Sequence, residues 1–443
     1  MTASLFTPLQ KEGLTTLKLR YDYRSDKEYI TCAKEWEADQ PWSNFNKTFY
    51  ADSLLTDDDQ YLNNKQTRQL FEKYGLTEYL AKVFDYLRKG RFFGLDCYYY
   101  QKKDMRFTAN LHSVVLGINN KDHATYTGGI RRHDRDEPEI EVIIDGLNLG
   151  RAQSHKNVAS QIPYGGGKIT VQADPVDLND QEELGFLAFA LDRVKFFTGP
   201  DMRYPIELAD AMAPFSAYIT AGPSNPIGSS GPPTAYGTLV ALKEAVKFHF
   251  KNKTLADLKI AVMGLGSVGF AQAEYLIGEG VKKLVVCDVD SKACKALMEK
   301  YPQVEITEVP VAEILEAEAD ILCPCAVGGF INEDNIKKLP FKMIFGAANN
   351  QLRAANRDEE IRLAKLLADR GILYQECWVH NIGGVMSGAE MYTKGAAADK
   401  KALMERIGRV CPEITAKNLT EAAAKGLTPT ENAYLSVESH IYR

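Results

Sequence analysis

From residue 234 onward, amphipathic stretches of helical period alternate with short apolar runs of strand length. The pattern predicts a helix over 234–250, a strand over 259–263, a helix over 268–279 and a strand over 283–287. It continues with a helix over 292–300, strands over 321–323 and 343–345, and a helix over 358–369, and is helical from about Asp399. Strands separated by helices of this length predict a parallel sheet covered on both faces, the doubly wound α/β class. Upstream the pattern is less regular. Alternation over 106–117 and an apolar run over 139–144 read as strands, flanking a charged, hairpin-like stretch over 131–137. Helices are expected over 65–88, 147–160 and 182–197, the second ended by Ile162-Pro163 and a glycine run. The segment from Gly222 to Pro233 is dense in Gly, Pro, Ser and Asn and reads as an inter-domain hinge. The first hundred residues offer no motif.

Composition narrows the classes. The 443 residues suggest two to three domains, and 53 Lys+Arg against 59 Asp+Glu leave a formal charge of −6. Such a chain lacks the broad basic face that nucleic-acid binding requires. No uninterrupted apolar run approaches membrane length, and the start, Met-Thr-Ala-Ser-Leu-Phe-Thr-Pro, reads as neither a secretory nor a targeting segment; a cytoplasmic enzyme is expected. The eight cysteines are scattered, and the one tight pair, Cys323 and Cys325, lies in an apolar run without partners for a metal site. No metal and no disulfide framework are expected.

The chemistry begins at the strand over 259–263. It runs into Gly264-Leu265-Gly266-Ser267-Val268-Gly269, which opens a helix, and the next strand ends on Asp288. Glycines let the backbone approach a pyrophosphate, whose charge meets the N–H groups of the helix N-terminus. A carboxylate at the second strand's end accepts ribose hydroxyls and repels a 2′-phosphate, which favours NAD. A nicotinamide enzyme also needs side chains that handle protons. Lys168 follows three glycines in Pro163-Tyr-Gly-Gly-Gly-Lys168, twelve residues after Lys156, and Asp201 follows the next predicted helix. A lysine in a dehydrated cleft titrates low and can serve as a general base. Two ammonium groups and one carboxylate beside a hydride acceptor suit an amino acid substrate.

Five ordered motifs make the sequence resemble the Glu/Leu/Phe/Val dehydrogenase family, and within it the leucine and phenylalanine branch. They are Gly128-Gly129-Ile130-Arg131; Lys156-Asn157 ahead of Lys168; Gly231-Pro-Pro-Thr-Ala-Tyr-Gly237; Gly346-Ala-Ala-Asn-Asn-Gln-Leu352; and Asn381-Ile-Gly-Gly-Val385. The resemblance spans roughly residues 105–395. It implies oxidative deamination of an L-amino acid with NAD in a homo-oligomer, without nucleic-acid or membrane partners. It also implies an N-terminal extension (1–104, role unassigned), a catalytic and oligomerisation domain (105–222), a Rossmann domain (223–400) and a helical segment (401–443) packing back on the catalytic domain. Lys168 and Asp201 would be catalytic. Lys156, Gly128, Gly129 and Asn350 would bind the substrate, with Thr127, Gly199, Val385 and Gly388 lining its side chain. Gly264, Gly266, Ser267, Val268, Gly269, Asp288, Thr234, Ala326 and Asn349 would hold the cofactor.

There are departures. Pro200 stands where the family usually has an acid, and Met202-Arg203-Tyr204-Pro205 follows Asp201 in place of a small pair. Thr127 replaces the lysine of the glutamate enzymes, and glycines at 199 and 388 remove carbons of pocket wall, refilled if at all by Met386 or Tyr204. An amino acid bulkier than leucine is the expected substrate, with Arg203 either meeting a distal acid or forming an ordinary ion pair. An unusual amine substrate and a silent NAD-binding protein of the same fold are the alternative readings.

Overall fold

A computed structural model describes residues 3–45, 60–120, 123–220, 222–354 and 356–442, to which the element counts below refer. The chain divides into two units. The first comprises Met1–Asn157, Pro163–Gly228 and Met391–Ala397; the second comprises Val158–Ile162, Ser229–Glu390 and Ala398–Arg443.

The first unit runs α1 (Thr7–Glu12), β1 (Thr16–Asp22), β2 (Lys27–Lys34), β3 (Gln60–Leu62), α2 (Asn64–Lys73), α3 (Thr77–Gly90), β4 (Gly94–Tyr100) and β5 (Met105–Leu111). It continues with β6 (Tyr126–His133), α4 (Glu139–Ala159), β7 (Gly165–Gln172), α5 (Gln181–Val194), β8 (Phe196–Pro200) and α6 (Leu208–Met212). Its eight strands form one sheet in the order β3-β2-β1-β4-β5-β7-β6-β8. Pairing is antiparallel from β3 to β7, and parallel between β7, β6 and β8. Along β4, Leu95, Cys97 and Tyr99 enter one apolar core while Tyr98 and Tyr100 enter another. Successive side chains of a strand point to opposite faces, so the sheet is covered on both.

That coverage explains several departures from the expected pattern. Residues 1–104 are no appended extension: they supply four strands of the sheet and much of one core. The strand expected over 139–144 is the start of α4. Ile140, Ile143 and Leu147 share one helical face against that core, so the β-branched run serves a period of 3.6 rather than two. The glycine run before Lys168 opens β7, which is buried at all eight positions. The helix expected over 182–197 stops at Val194, where Lys195 takes a left-handed cap, and the chain re-enters the sheet as β8.

The second unit begins within the breaker-rich segment, with α7 (Gly231–Phe250), β9 (Lys259–Met263), α8 (Ser267–Gly278), β10 (Lys283–Cys287), α9 (Ser291–Lys300) and β11 (Glu305–Glu308). It proceeds through β12 (Ile321–Pro324), α10 (Glu333–Ile336), β13 (Met343–Ile344), α11 (Arg357–Asp369), β14 (Leu373–Tyr374), α12 (Gly383–Lys394), α13 (Lys400–Lys425) and α14 (Pro429–Ile441). All six strands are parallel, in the order β11-β10-β9-β12-β13-β14. This is the strand order of dinucleotide-binding folds, with the switch point between β9 and β12. The C-terminal helices group with this unit. A Cβ on Gly237 of α7 would lie 3.0 Å from Cys411 Sγ of α13, and Tyr434 of α14 sits edge-on to Trp378 at 5.4 Å. No helix among the described residues is long and apolar enough to cross a membrane.

Candidate active site

In the first unit β6, β7 and β8 bring a charged cluster onto one face of the sheet. Thr127, Gly129 and Arg131 alternate along β6, Phe197 and Gly199 along β8, and Lys168 stands on β7. The Lys168 ammonium donates to Asp201 Oδ2, with only 8% of its side chain exposed. The Asp201 backbone N–H is held 3.0 Å from the Ile130 carbonyl, which fixes the carboxylate at the end of the strand pair. Asp201 keeps 36% of its side chain accessible, so the pair has one open side. Burial pulls the Lys168 ammonium below its ordinary value, Asp201 opposes that pull, and the Arg131 charge adds to it. Burial would raise the Asp201 carboxyl, but Lys168 and Arg131 outweigh it and hold it far below the usual carboxylate range.

Glycine matters here for two different reasons. A Cβ on Gly129 would sit 2.6 Å from Lys168 Nζ and 3.2 Å from Asp201 Cβ, so the residue keeps open the space the pair occupies. A Cβ on Gly128 would lie 1.9 Å from the Gly167 carbonyl oxygen, so its bareness lets the strands approach. Lys156 lies half-buried near the end of α4 and belongs, like the Lys168 pair, to the first unit.

Several residues of this region carried no assigned role in the sequence reading. Asn110 on β5 donates to the Lys168 carbonyl at 3.1 Å, Ser154 Oγ accepts from Gly166 N at 3.1 Å, and Asn157 Nδ2 donates to the Tyr164 carbonyl at 2.8 Å. Arg131 donates from Nε and Nη2 to Asp201 Oδ2 at 3.3 and 3.2 Å, and from Nη1 to both Asp145 oxygens at 3.0 and 2.8 Å. Arg131 and Asn157 were visible as members of the quoted motifs. Asp145 was not, because its segment read as strand and loop. Arg203, with a left-handed φ of 64°, bridges Asp134 and Glu137, so it is an ion-pair residue. Tyr204 belongs to the apolar core, and Met386 lies on the buried side of α12.

In the second unit the expected cofactor residues lie at the C-terminal ends of β9, β10, β12 and β13, except Thr234, which is in the first turn of α7. Gly264 has φ 90°, and a Cβ there would lie 2.8 Å from Ala326 Cβ. A Cβ on Gly269 would lie 1.9 Å from the Gly264 carbonyl, whereas one on Gly266 would meet nothing within 4 Å. Gly266 and Ser267 are exposed at the α8 N-terminus, with Val268 half-buried behind them. Asp288 accepts from Leu265 N at 2.6 Å and from Asp290 N at 2.8 Å, which ties the acid to the glycine loop. Carboxylate oxygens retain further lone pairs for ribose hydroxyls. Asn381 donates to the Ala347 carbonyl at 2.9 Å and to Asn349 Oδ1 at 3.0 Å, so the Asn-x-Gly-Gly motif orients that loop, and Asn350 adopts φ 48°. Thr234 Oγ1 donates to the Ser230 carbonyl at 2.8 Å and would lie 2.7 Å from a Cβ on Gly384. Val385 and Gly388 lie half-exposed on α12.

A doubly wound dinucleotide-binding unit, joined to one that buries a lysine against an aspartate, defines the class: an oxidoreductase with a nucleotide cofactor. The bare, exposed backbone at Gly266 and the acid at Asp288 fit NAD, the cofactor that the fold implies. Residues 229–439 match the family model for Glutamate/Leucine/Phenylalanine/Valine dehydrogenase, and residues 111–205 match that for the Glu/Leu/Phe/Val dehydrogenase dimerisation domain. The leucine dehydrogenase of Thermoactinomyces intermedius is 32% identical over 70% of this chain and 81% of its own length. The phenylalanine dehydrogenase of Bacillus thermotolerans is 31% identical, covering 74% of this chain and 84% of its own. Among solved structures, the L-tryptophan dehydrogenase from Nostoc punctiforme superposes with a TM-score of 0.64 at 25% identity, over 81% of this chain and 98% of its own. The chain belongs to the Glu/Leu/Phe/Val dehydrogenase family and is an oxidoreductase acting on amino acids.

Proposed function

We propose that this chain catalyses the reversible oxidative deamination of an L-amino acid to a 2-oxo acid and ammonia with NAD. The observation that carries the reading is the buried Lys168–Asp201 pair, open on one side in front of the bare Gly129. Lys156 takes the substrate α-carboxylate, helped by the backbone at Gly128 and Gly129. NAD, when bound, accepts the hydride from the substrate Cα. The nitrogen lone pair closes a C=N bond as that hydride leaves, and the proton given up by nitrogen passes to Asp201. Lys168, neutral at this stage, removes a proton from the water that adds to carbon. Asp201 returns its proton to nitrogen and, ionised again, takes the hydroxyl proton as the C–N bond breaks and the C=O bond forms, leaving ammonia and the 2-oxo acid.

Gly264, Gly266, Ser267, Val268 and Gly269 hold the pyrophosphate, Asp288 the adenosine ribose, and Thr234, Ala326 and Asn349 the nicotinamide end. Thr127 and Gly199 face the substrate side chain. Tyr204 lies in the apolar core and so does not refill the space left by Gly199, which supports a substrate bulkier than leucine. The likeness to an enzyme named for tryptophan points the same way. A homo-oligomer in the cytoplasm is part of this reading. The test is NADH absorbance at alkaline pH across alanine, valine, leucine, phenylalanine, tryptophan and glutamate. The highest kcat/KM for an aromatic member supports the proposal. Alanine or glutamate in first place overturns the enlarged pocket, and no turnover with any of them overturns the assigned reaction.

A further inference from the structure

Behind the Lys168–Asp201 pair runs a line of alternating charges. Asp201 Oδ2 is shared between the Lys168 ammonium and the Arg131 guanidinium, whose second edge grips Asp145 on α4. Asp145 Oδ2 lies 3.4 Å from His133 Nε2, and His133 Nδ1 lies 2.8 Å from Glu137, which Arg203 also meets. Every element around Arg131 thus presents a charge: Asp201 and Arg203 beyond β8, Lys168 from β7, His133 from β6, Asp145 from α4, and Asp134 and Glu137 from the loop between β6 and α4. Arg131 itself is only 15% exposed.

We propose that Arg131, clamped by Asp145, is a positioning residue whose fixed positive charge keeps the Lys168–Asp201 pair in the protonation states the reaction uses near neutral pH. The argument is one of sign. A cation beside a carboxylate favours its ionised form, and the same cation beside an ammonium favours loss of that proton. One guanidinium therefore makes Asp201 ready to accept a proton and Lys168 ready to release one. A guanidinium suits the task because it stays charged across the working range and its planar fork spans two carboxylates at once.

This rests on Lys168 and Asp201 being the acid–base pair, and the experiment separates the two claims. Profiles of kcat/KM against pH report the titration of the free enzyme's essential groups. Lys168→Ala and Asp201→Asn test the pair: full turnover in either overturns that reading. With the pair established, Arg131→Gln is expected to move both limbs of the profile to higher pH, by about one pH unit or more. Arg131→Lys, which keeps the charge, should leave the limbs near their wild-type positions even at reduced kcat. Asp145→Asn, which removes the opposing charge, should move them the other way by less. Where a variant has no turnover, the pH dependence of Lys168 acetylation by an anhydride, read by peptide mass, reports the lysine directly. A fall in amplitude with unmoved limbs and an unmoved acetylation midpoint overturns the proposal. Should Arg131→Gln not fold, the downward shift in Asp145→Asn carries the test, and its absence overturns it.

Discussion

In the first unit the candidate chemistry rests on charged side chains carried to the edge of a core covered on both faces. In the second it rests on backbone amides at the ends of parallel strands. The difference sets how each site responds to change. Around Lys168 a lost charge leaves a buried partner uncompensated, which costs more than the pair contributes. Around the glycine loop the charged group identified is Asp288, and at Gly264 and Gly269 the sensitive quantity is the space a Cβ would fill. One site fails through electrostatics, the other through crowding.

The sharpest break of this contrast is Lys168→Ala, expected to cut turnover by a factor on the order of 10² or more while NADH binding stays nearly intact. Lys156→Ala should instead raise KM for the amino acid more than it lowers kcat. Fluorescence titration with NADH alongside steady-state rates checks both; a Lys168 variant that has lost NADH affinity as well would deny the division of labour between the units.

Next come the glycines. Gly129→Ala places a methyl 2.6 Å from Lys168 Nζ and should lower kcat on the order of 10²-fold through misplacement of the pair, with little change in Tm. Gly128→Ala drives a methyl to 1.9 Å from a backbone oxygen and should cost about 1–3 kcal/mol of stability instead. Equal Tm losses in the two would erase the distinction between room for chemistry and room for strands.

In the second unit Gly266→Ala meets nothing in the protein itself and should leave Tm unchanged while raising KM for NAD. Gly269→Ala, 1.9 Å from the Gly264 carbonyl, should lower Tm. Asp288→Ser should narrow the preference for NAD over NADP by about 1–3 kcal/mol. A wild-type enzyme that prefers NADP would sink this role for Asp288.

The smallest expected effect is in acid. Burial acts to raise the Glu137 carboxyl, but His133, the Asp134 backbone and Arg203 hold it down to about 2, below its ordinary 4.5. A depressed carboxylate stabilises the fold above its unfolded value and loses that contribution as pH falls through the folded one. Thermal stability should therefore decline between about pH 4.5 and 2, and less steeply in Glu137→Gln. An identical slope in the variant removes Glu137 from the acid response.

Much of the second unit could be read directly. The strand expected over 259–263 is β9 and the one over 283–287 is β10, residue for residue, because a parallel strand buried on both faces is a short continuous apolar run between helices. The glycine loop and Asp288 lie where that reading placed them, since strand, turn and helix follow one another locally. The first unit was less legible for a matching reason. β4 and β7 are buried at every position and so lack alternation, and β7 pairs with β5 far along the chain, so nothing local marks β7 as a strand behind its three glycines.

What the sequence alone determined is the inventory: a dinucleotide loop with its acid, two lysines and an aspartate at telling spacings, and motifs that name a family. Only the tertiary structure decided that residues 1–104 complete the sheet, that the C-terminal helices cover the second unit, and that Arg131 stands between Asp201 and Asp145. The reason is distance along the chain. A glycine loop acts through amides that are neighbours in sequence, whereas Asp201 and Arg131 are 70 residues apart and meet only when β6 and β8 pair.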